Sequence, residues 1–296
     1  MFLRNTFVRF VIPALSLGIV ASTEAGAQTL APLAVKVYNA DGNSFHVNAV
    51  VLSGAKEALV IDTGFTRADA LRVAANVLDS GKTLKAIFIS NADPDFYFGA
   101  EVLKAQFPQA QVLTTPAVRD KIQAKLAGKV AFWGPKMGVN APQAPIVPDA
   151  LQGTTLTVDG HTVEVRGTTG ALAHRPWVWV PSIKTIAGNI ALFGNLHVWT
   201  ADTPKAADRA AWLAQLDEME ALQPNTVVPG HMASGSPLDA SAIRHTRGYL
   251  QRFEAEAAKA PNGAALIDAM TKAYPQAGLG IALDIGAKVN KGEMAW

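Results

Sequence analysis

Residues 86–99, Ala86-Ile-Phe-Ile-Ser-Asn-Ala-Asp-Pro-Asp-Phe-Tyr-Phe-Gly99, decide how the rest of the chain is read. Ala86 to Ile89 is an uninterrupted apolar run, the pattern of a strand covered on both faces. Ser90 to Asp95 turns polar at once, and a helix is expected from about Gly99 to Phe107. A polar loop between the C-terminal end of a buried strand and a helix is where layered α/β folds carry their chemistry.

Upstream, His46–Leu52 and Ala58–Asp62 read as strands joined across Ser53-Gly54. Leu71, Ala74, Ala75 and Leu78 then recur at helical spacing between Arg67 and Ser80, with Gly81 as the stop. Downstream come a strand at Gln111–Thr114 and a helix at Pro116–Leu126. Gly128 to Pro148 is rich in Gly and Pro and carries Phe132, Trp133 and Met137, so it reads either as a lid or pocket wall or as a surface loop whose aromatics pack down.

In the second half, Thr154–Val158 and Thr162–Arg166 form a hairpin around Asp159-Gly160. Trp177–Val180 and Lys184–Ala187 pair across Pro181-Ser182. A helix at Pro204–Leu222 precedes the short strand Thr226–Val228, which runs into Pro229-Gly230-His231. Helices at about Pro237–Lys259 and Ala264–Ala273 close the chain. The halves repeat one order of strands, helix, short strand and polar loop. The expected fold is an α/β, αββα four-layer sandwich of two mixed β-sheets flanked by helices. It spans residues 28–260, with 261–296 a helical extension packed on the same domain.

Composition narrows the function classes. The chain has 296 residues, 49% of them hydrophobic, which is ample for a packed core. The formal charge is +2 and no basic block stands out, so a nucleic-acid partner is not expected. With no cysteine, disulfides, thiolate metal ligands and thiol nucleophiles are excluded. Arg4 and Arg9, the apolar run Val11–Ala21 and Ala25-Gly26-Ala27 form the three parts of a cleavable signal peptide over residues 1–27. A periplasmic or secreted protein is expected, with no membrane association after cleavage.

Polar residues cluster at four strand ends: Asp62-Thr-Gly64, Asn91 to Asp95, Asn189 with Asn195–Trp199, and Pro229-Gly-His231. With Ile61-Asp-Thr-Gly64, Ile89 to Gly99, Ala187-Gly-Asn189 and Val228-Pro-Gly-His231 in this order, the chain resembles the metallo-β-lactamase superfamily from about Phe45 to His231. That resemblance implies a metal-binding loop of pattern Thr/Ser-His-x-His-x-Asp-His. Here Ser90 matches, Asn91 and Asp93 stand at the first two His positions, Asp95 is kept, and Phe96 replaces the last His. The third-His position is Ala171, the bridging Asp is Asn189, and the final His is kept as His231.

Phe96 and Ala171 cannot donate to a metal, and Asn189 cannot bridge two cations as a carboxylate does, so a dinuclear centre is not expected. The reading that remains is one divalent ion on Asp93, Asp95 and His231, with Asn91 and His197 as further candidate ligands and His174 three residues past the lost position. Zn fits first, then Mn or Fe(II). Such an ion would activate a water against an ester, lactone or amide of a small hydrophobic substrate, with Asp95 and His231 as the catalytic residues. Trp177, Trp179 and Trp199 are expected beside the 128–148 segment as apolar walls. The alternatives are a metal-free binding or acid–base site on Asp95 and His231, and a silent member of the fold. Asp62 reads as a loop support, and Asp93 or Asp95 also fits a helix N-cap.

Overall fold

The computed structural model describes residues 1–3 and 30–296; the expected signal peptide lies almost wholly outside them. The first sheet runs in chain order: β1 (Ala34–Asn39), β2 (Asn48–Ser53), β3 (Glu57–Ile61), β4 (Thr83–Ile89), β5 (Gln111–Thr114) and β6 (Asp149–Ala150). β1 to β3 pair antiparallel, and β3 to β6 are parallel. The second sheet contains β7 (Thr155–Val158), β8 (His161–Arg166), β9 (Trp177–Val180), β10 (Thr185–Ala187) and β12 (Thr226–Val227), in the order β12-β10-β9-β8-β7. Between β10 and β12 in sequence lies β11 (Phe193–Gly194), which pairs in parallel with β13 (His231–Met232).

Alternation along each strand explains the layers. In β3, Leu59 and Ile61 pack inward with Val163, Val165, Val178 and Val180 of the second sheet, whereas Ala58 and Val60 face outward. Those outward residues are covered by α1 (Arg67–Ser80) and, beyond the short α2 (Pro94–Tyr97), by α3 (Ala100–Gln106). In β9 the same period turns Val178 and Val180 inward and Trp177 and Trp179 outward. These two indoles are covered by α5 (Ala206–Ala221), with Trp212, Leu216 and Met219, and by α6 (Ser241–Lys259), with Ile243 and Leu250. Four layers, α-β-β-α, result.

Three expectations are corrected. The 128–148 segment is not a loop throughout: α4 spans Pro116–Met137, capped by the Thr115 hydroxyl, and runs through Gly128 and Gly134. Trp177 and Trp179 are core residues and not pocket walls. In α1 the buried face is Ala70, Val73, Ala74 and Val77, while Leu71 and Leu78 are exposed. The cause is the N-terminal lock: Thr66 and Asp69 form a reciprocal capping box, and Tyr38 and Ser44 both donate to Asp69. That lock fixes the rotation of the helix.

Elements that the sequence did not announce are β1, β6, α2, β11, β13 and α8 (Gly280–Asn290). After α7 (Gly263–Ala273), α8 packs back, and Leu196 bridges to Gly278. Among the described residues, no helix is long and apolar enough to cross a membrane.

Candidate functional site

The C-terminal ends of β3, β4 and β10 and the start of β13 meet at one end of the sandwich, and loop anchors set the geometry there. Asp62 accepts from the Ser90 N–H at 2.7 Å and from the Ser90 hydroxyl at 2.8 Å, which ties the end of β3 to the 90–95 loop. Its carboxyl is fully buried with no cation beside it, so desolvation raises its pKa to about 7 against those two bonds. The support role expected for Asp62 is what the structure gives it. Gly230 is forced by close approach, since a Cβ there would sit 1.9 Å from the Asn189 carbonyl oxygen.

Asp95 and His231 come together. His231 Nε2 lies 3.5 Å from Asp95 Oδ2, and the two side chains are almost fully buried. The other ring nitrogen, Nδ1, is 2.9 Å from the Phe45 carbonyl. A carbonyl only accepts, so Nδ1 carries the proton and Nε2 presents its lone pair to Asp95. Phe193 stacks on the imidazole at 5.2 Å, and Phe96 meets it edge-on at 5.4 Å. Burial in this aromatic sleeve lowers His231 to about 4 and, with the Asp93 charge adding to desolvation, raises Asp95 well above the carboxylate range. Both shifts run toward the uncharged forms of the pair.

The other candidates go elsewhere. Asp93 is the N-cap residue of α2 but its side chain caps nothing; its carboxylate points at Lys129 Nζ, 3.7 Å away. Asp95 lies in the first turn of α2, and α3 begins at Gly99 with no side-chain cap, so neither carboxylate caps α3. Asn91 uses its Oδ1 to accept from the Asp93 N–H at 2.8 Å. His197 is buried away from the strand ends, its Nδ1 3.1 Å from the Tyr249 hydroxyl. Asn189 has both ends of its amide engaged, donating to the Val228 carbonyl and accepting from the Leu192 N–H.

This donor set does not fit the metal centre that the motif positions imply. Among the described residues, no three His, Asp or Glu side chains gather as a metal site would need. The expected convergence of three donors is limited to Asp95 and His231. Phe96 fills the volume beside His231, Ala171 offers no donor, and the Asn189 amide is spent on the backbone.

A cavity of about 310 Å³ opens in front of the pair. Phe45 and Phe65 form its floor with Phe193, and Phe132 and Trp133 of α4 form one side. Trp199, Leu279, Ile281, Ile285 and Trp296 close the other. Among the described residues, its charged or titratable lining is Asp93, Asp95, Lys129 and His231. The 128–148 segment does supply a wall, through Phe132 and Trp133 on a helix. Sequence reasoning missed Lys129, Phe193 and the C-terminal contributors. Phe193 was detectable, since it lies four residues past the Asn189 landmark; the α8 residues carried no local signal.

Two sheets face to face, helices outside, and a polar cluster at the strand ends define an αββα hydrolase-like fold. The chain belongs to the metallo-beta-lactamase superfamily, whose sequence profile matches residues 42–231, well over half of it. Solved structures agree on the fold. A metallo-beta-lactamase family protein from Thermus thermophilus aligns at 18% identity and TM-score 0.60, covering 86% of this chain and 91% of its own. A metallo-beta-lactamase from Pontibacter korlensis aligns at 20% identity and TM-score 0.52, covering 74% and 99%. At that identity the likeness carries the fold and nothing finer. No curated protein sequence matches. Members of the superfamily generally bind divalent metals such as zinc; in this chain three of the motif positions, Asp93, Asp95 and His231, line a mostly apolar cavity.

Proposed function

We propose that this protein binds an apolar small molecule in the 310 Å³ cavity without a metal, and that Asp95 and His231 form the polar end that receives a carbonyl or hydroxyl of the ligand. The supporting observation is the lining: aromatic and aliphatic side chains surround a buried pair of hydrogen-bonding groups, Asp95 and His231, 3.5 Å apart. Mostly apolar walls with a few placed polar groups are what small-molecule sites share. Burial favours the uncharged form of each, in which Asp95 donates and the imidazole accepts. The pair therefore matches a neutral oxygen function better than an anion, whose charge an apolar sleeve would penalise.

N-phenyl-1-naphthylamine, which fluoresces in apolar surroundings, tests the reading when titrated into EDTA-treated protein. Saturable binding at one probe per chain is expected, unchanged by EDTA. Phe132 is 55% exposed on the rim, so Phe132→Asp leaves the fold intact and places a charge on the wall. That variant is expected to weaken the probe about tenfold. Absence of saturable binding, or indifference to Phe132→Asp, overturns the proposal. Metal content measured on the protein as purified, before any chelator, separates this reading from the hydrolytic alternative; no bound ion is expected. One ion per chain, lost in both Asp95→Ala and His231→Ala, would restore a metal-activated water acting on an ester, lactone or amide.

A further inference from the structure

A second, smaller cavity of about 20 Å³ lies beside the first, sharing Asp93 and Ile190 as a common wall. Arg175 lines it, and this guanidinium is only 2% exposed. It stacks over the Trp212 ring at 4.0 Å and donates from Nη2 to the Ile190 carbonyl at 3.3 Å. Its Nε and Nη1 are buried with no hydrogen-bond partner. A buried guanidinium with unpaired N–H bonds is costly unless something accepts from them. Two further cations, Lys121 and Lys125, approach from successive turns of α4.

We propose that Arg175, Lys121 and Lys125 form an anion site that takes the carboxylate of a small monocarboxylate. The charge balance selects a monoanion. Among the residues lining this cavity, the two lysines and Arg175 face the carboxylates of Asp93 and Asp202, which leaves one positive charge; Lys129 lines only the other cavity. His174, also in the wall, is lowered to about 4 by burial and by Lys121 and Arg175, so it is neutral at pH 7. Asp202 is already engaged, accepting from the Trp199 and Trp296 indoles at 2.8 Å each. Asp93 is held by Lys129 on its other side. Neither carboxylate makes a hydrogen bond to Arg175.

Size points the same way. The space admits one or two water-sized groups, which suits the two oxygens of a carboxylate. A phosphate dianion would bring a second charge against Asp93 and Asp202. The site is distinct from the Asp95–His231 pair, which lines the other cavity.

Sodium acetate, titrated into the full chain at constant ionic strength, is the probe, followed by calorimetry and by Trp emission, because Trp212 lies under Arg175. One saturable site is expected, with inorganic phosphate binding more weakly. Arg175→Gln is expected to weaken acetate tenfold or more. Arg175 is buried, so that variant is checked for folding by circular dichroism. Lys121 and Lys125 are exposed, and the double variant Lys121→Gln/Lys125→Gln folds regardless; it is expected to weaken acetate several-fold. Asp93→Asn, by removing an opposing charge, is expected to tighten it. Acetate that does not saturate, or whose affinity is the same in the lysine double variant, overturns the proposal. Phe132→Asp separates the two sites, since it is expected to weaken the naphthylamine and leave acetate unchanged. Acetate binding without naphthylamine binding would remove the apolar-ligand reading alone, and the reverse result would remove the anion site alone.

Discussion

Asp62 carries an electrostatic consequence that a single substitution can read out. Its carboxyl ionises at about 7 in the folded chain against an ordinary 3.8, because burial outweighs the two Ser90 bonds. Between those values the unfolded chain has given up the proton and the folded one has kept it. Stability from this group is therefore complete below pH 4 and is lost as pH rises through 7, by roughly 4 kcal/mol from the linkage relation. Asn at this position still accepts from the Ser90 N–H but cannot titrate. Urea unfolding of parent and Asp62→Asn, compared at a series of pH values, is expected to give a stability difference that moves by that order between pH 4 and 7 in favour of the variant and is flat above. His174 and His231, both lowered to about 4, lose stability in the opposite direction, but they are common to both proteins and cancel in the difference. A difference flat across the window would sink the assignment. At this scale the sequence was partly legible. Asp62, Asp95 and His231 sit at landmark positions, where strand ends force polar side chains toward one another. Arg175 was not, because nothing in a turn reading Thr168-Thr-Gly-Ala-Leu-Ala-His-Arg175 says that its guanidinium will be buried under an indole.

At the scale of elements, α4 is the instructive case. Gly128, Gly134 and Pro135 read as breakers, yet the helix runs through all three to Met137. Pro135 falls in the last turn, so the N–H bond it removes disturbs only the helix end, and Lys136 follows it with its ammonium on the Phe132 carbonyl and over the Phe132 ring. Trp133 packs edge-on against Phe45 and Phe65, so tertiary contact holds the second half of α4 where propensity alone would not. A Cβ at Gly128 would meet nothing within 4 Å, and its φ is not positive. Gly128→Ala is therefore expected to stabilise the protein by about 0.5–1 kcal/mol, read as a higher thermal midpoint. A lower midpoint would mean that α4 is not helical through residue 128. Strands and amphipathic helices, whose periodicity the core imposes, were legible. The rotation of α1 was not, because it is set by Asp69 reaching Tyr38 and Ser44 across the fold.

For the whole molecule, the pocket depends on parts far apart in the chain. Its floor comes from the loops before β2 and after β3 and from the β11 strand, one wall from α4, and the other from residues 279–296 together with Trp199. Trp296 closes the assembly: its ring meets Trp199 at 5.0 Å, its indole N–H donates to Asp202, and Lys129 of α4 lies over it at 5.5 Å. Asp202, bridging the two indoles, thereby couples the C-terminus to the wall of the smaller cavity. Trp296 is half exposed and belongs to none of the buried core clusters, so its loss leaves the layers intact. Deleting residues 294–296 removes part of one apolar wall, a loss of about 1–2 kcal/mol in ligand binding from the area of an indole face. N-phenyl-1-naphthylamine affinity is expected to fall roughly five- to thirtyfold, with a thermal midpoint shifted by no more than a few degrees. An unchanged affinity would show that the ligand enters and sits without the C-terminal wall. A collapsed midpoint would instead make Trp296 a structural staple between α4 and the second half of the fold.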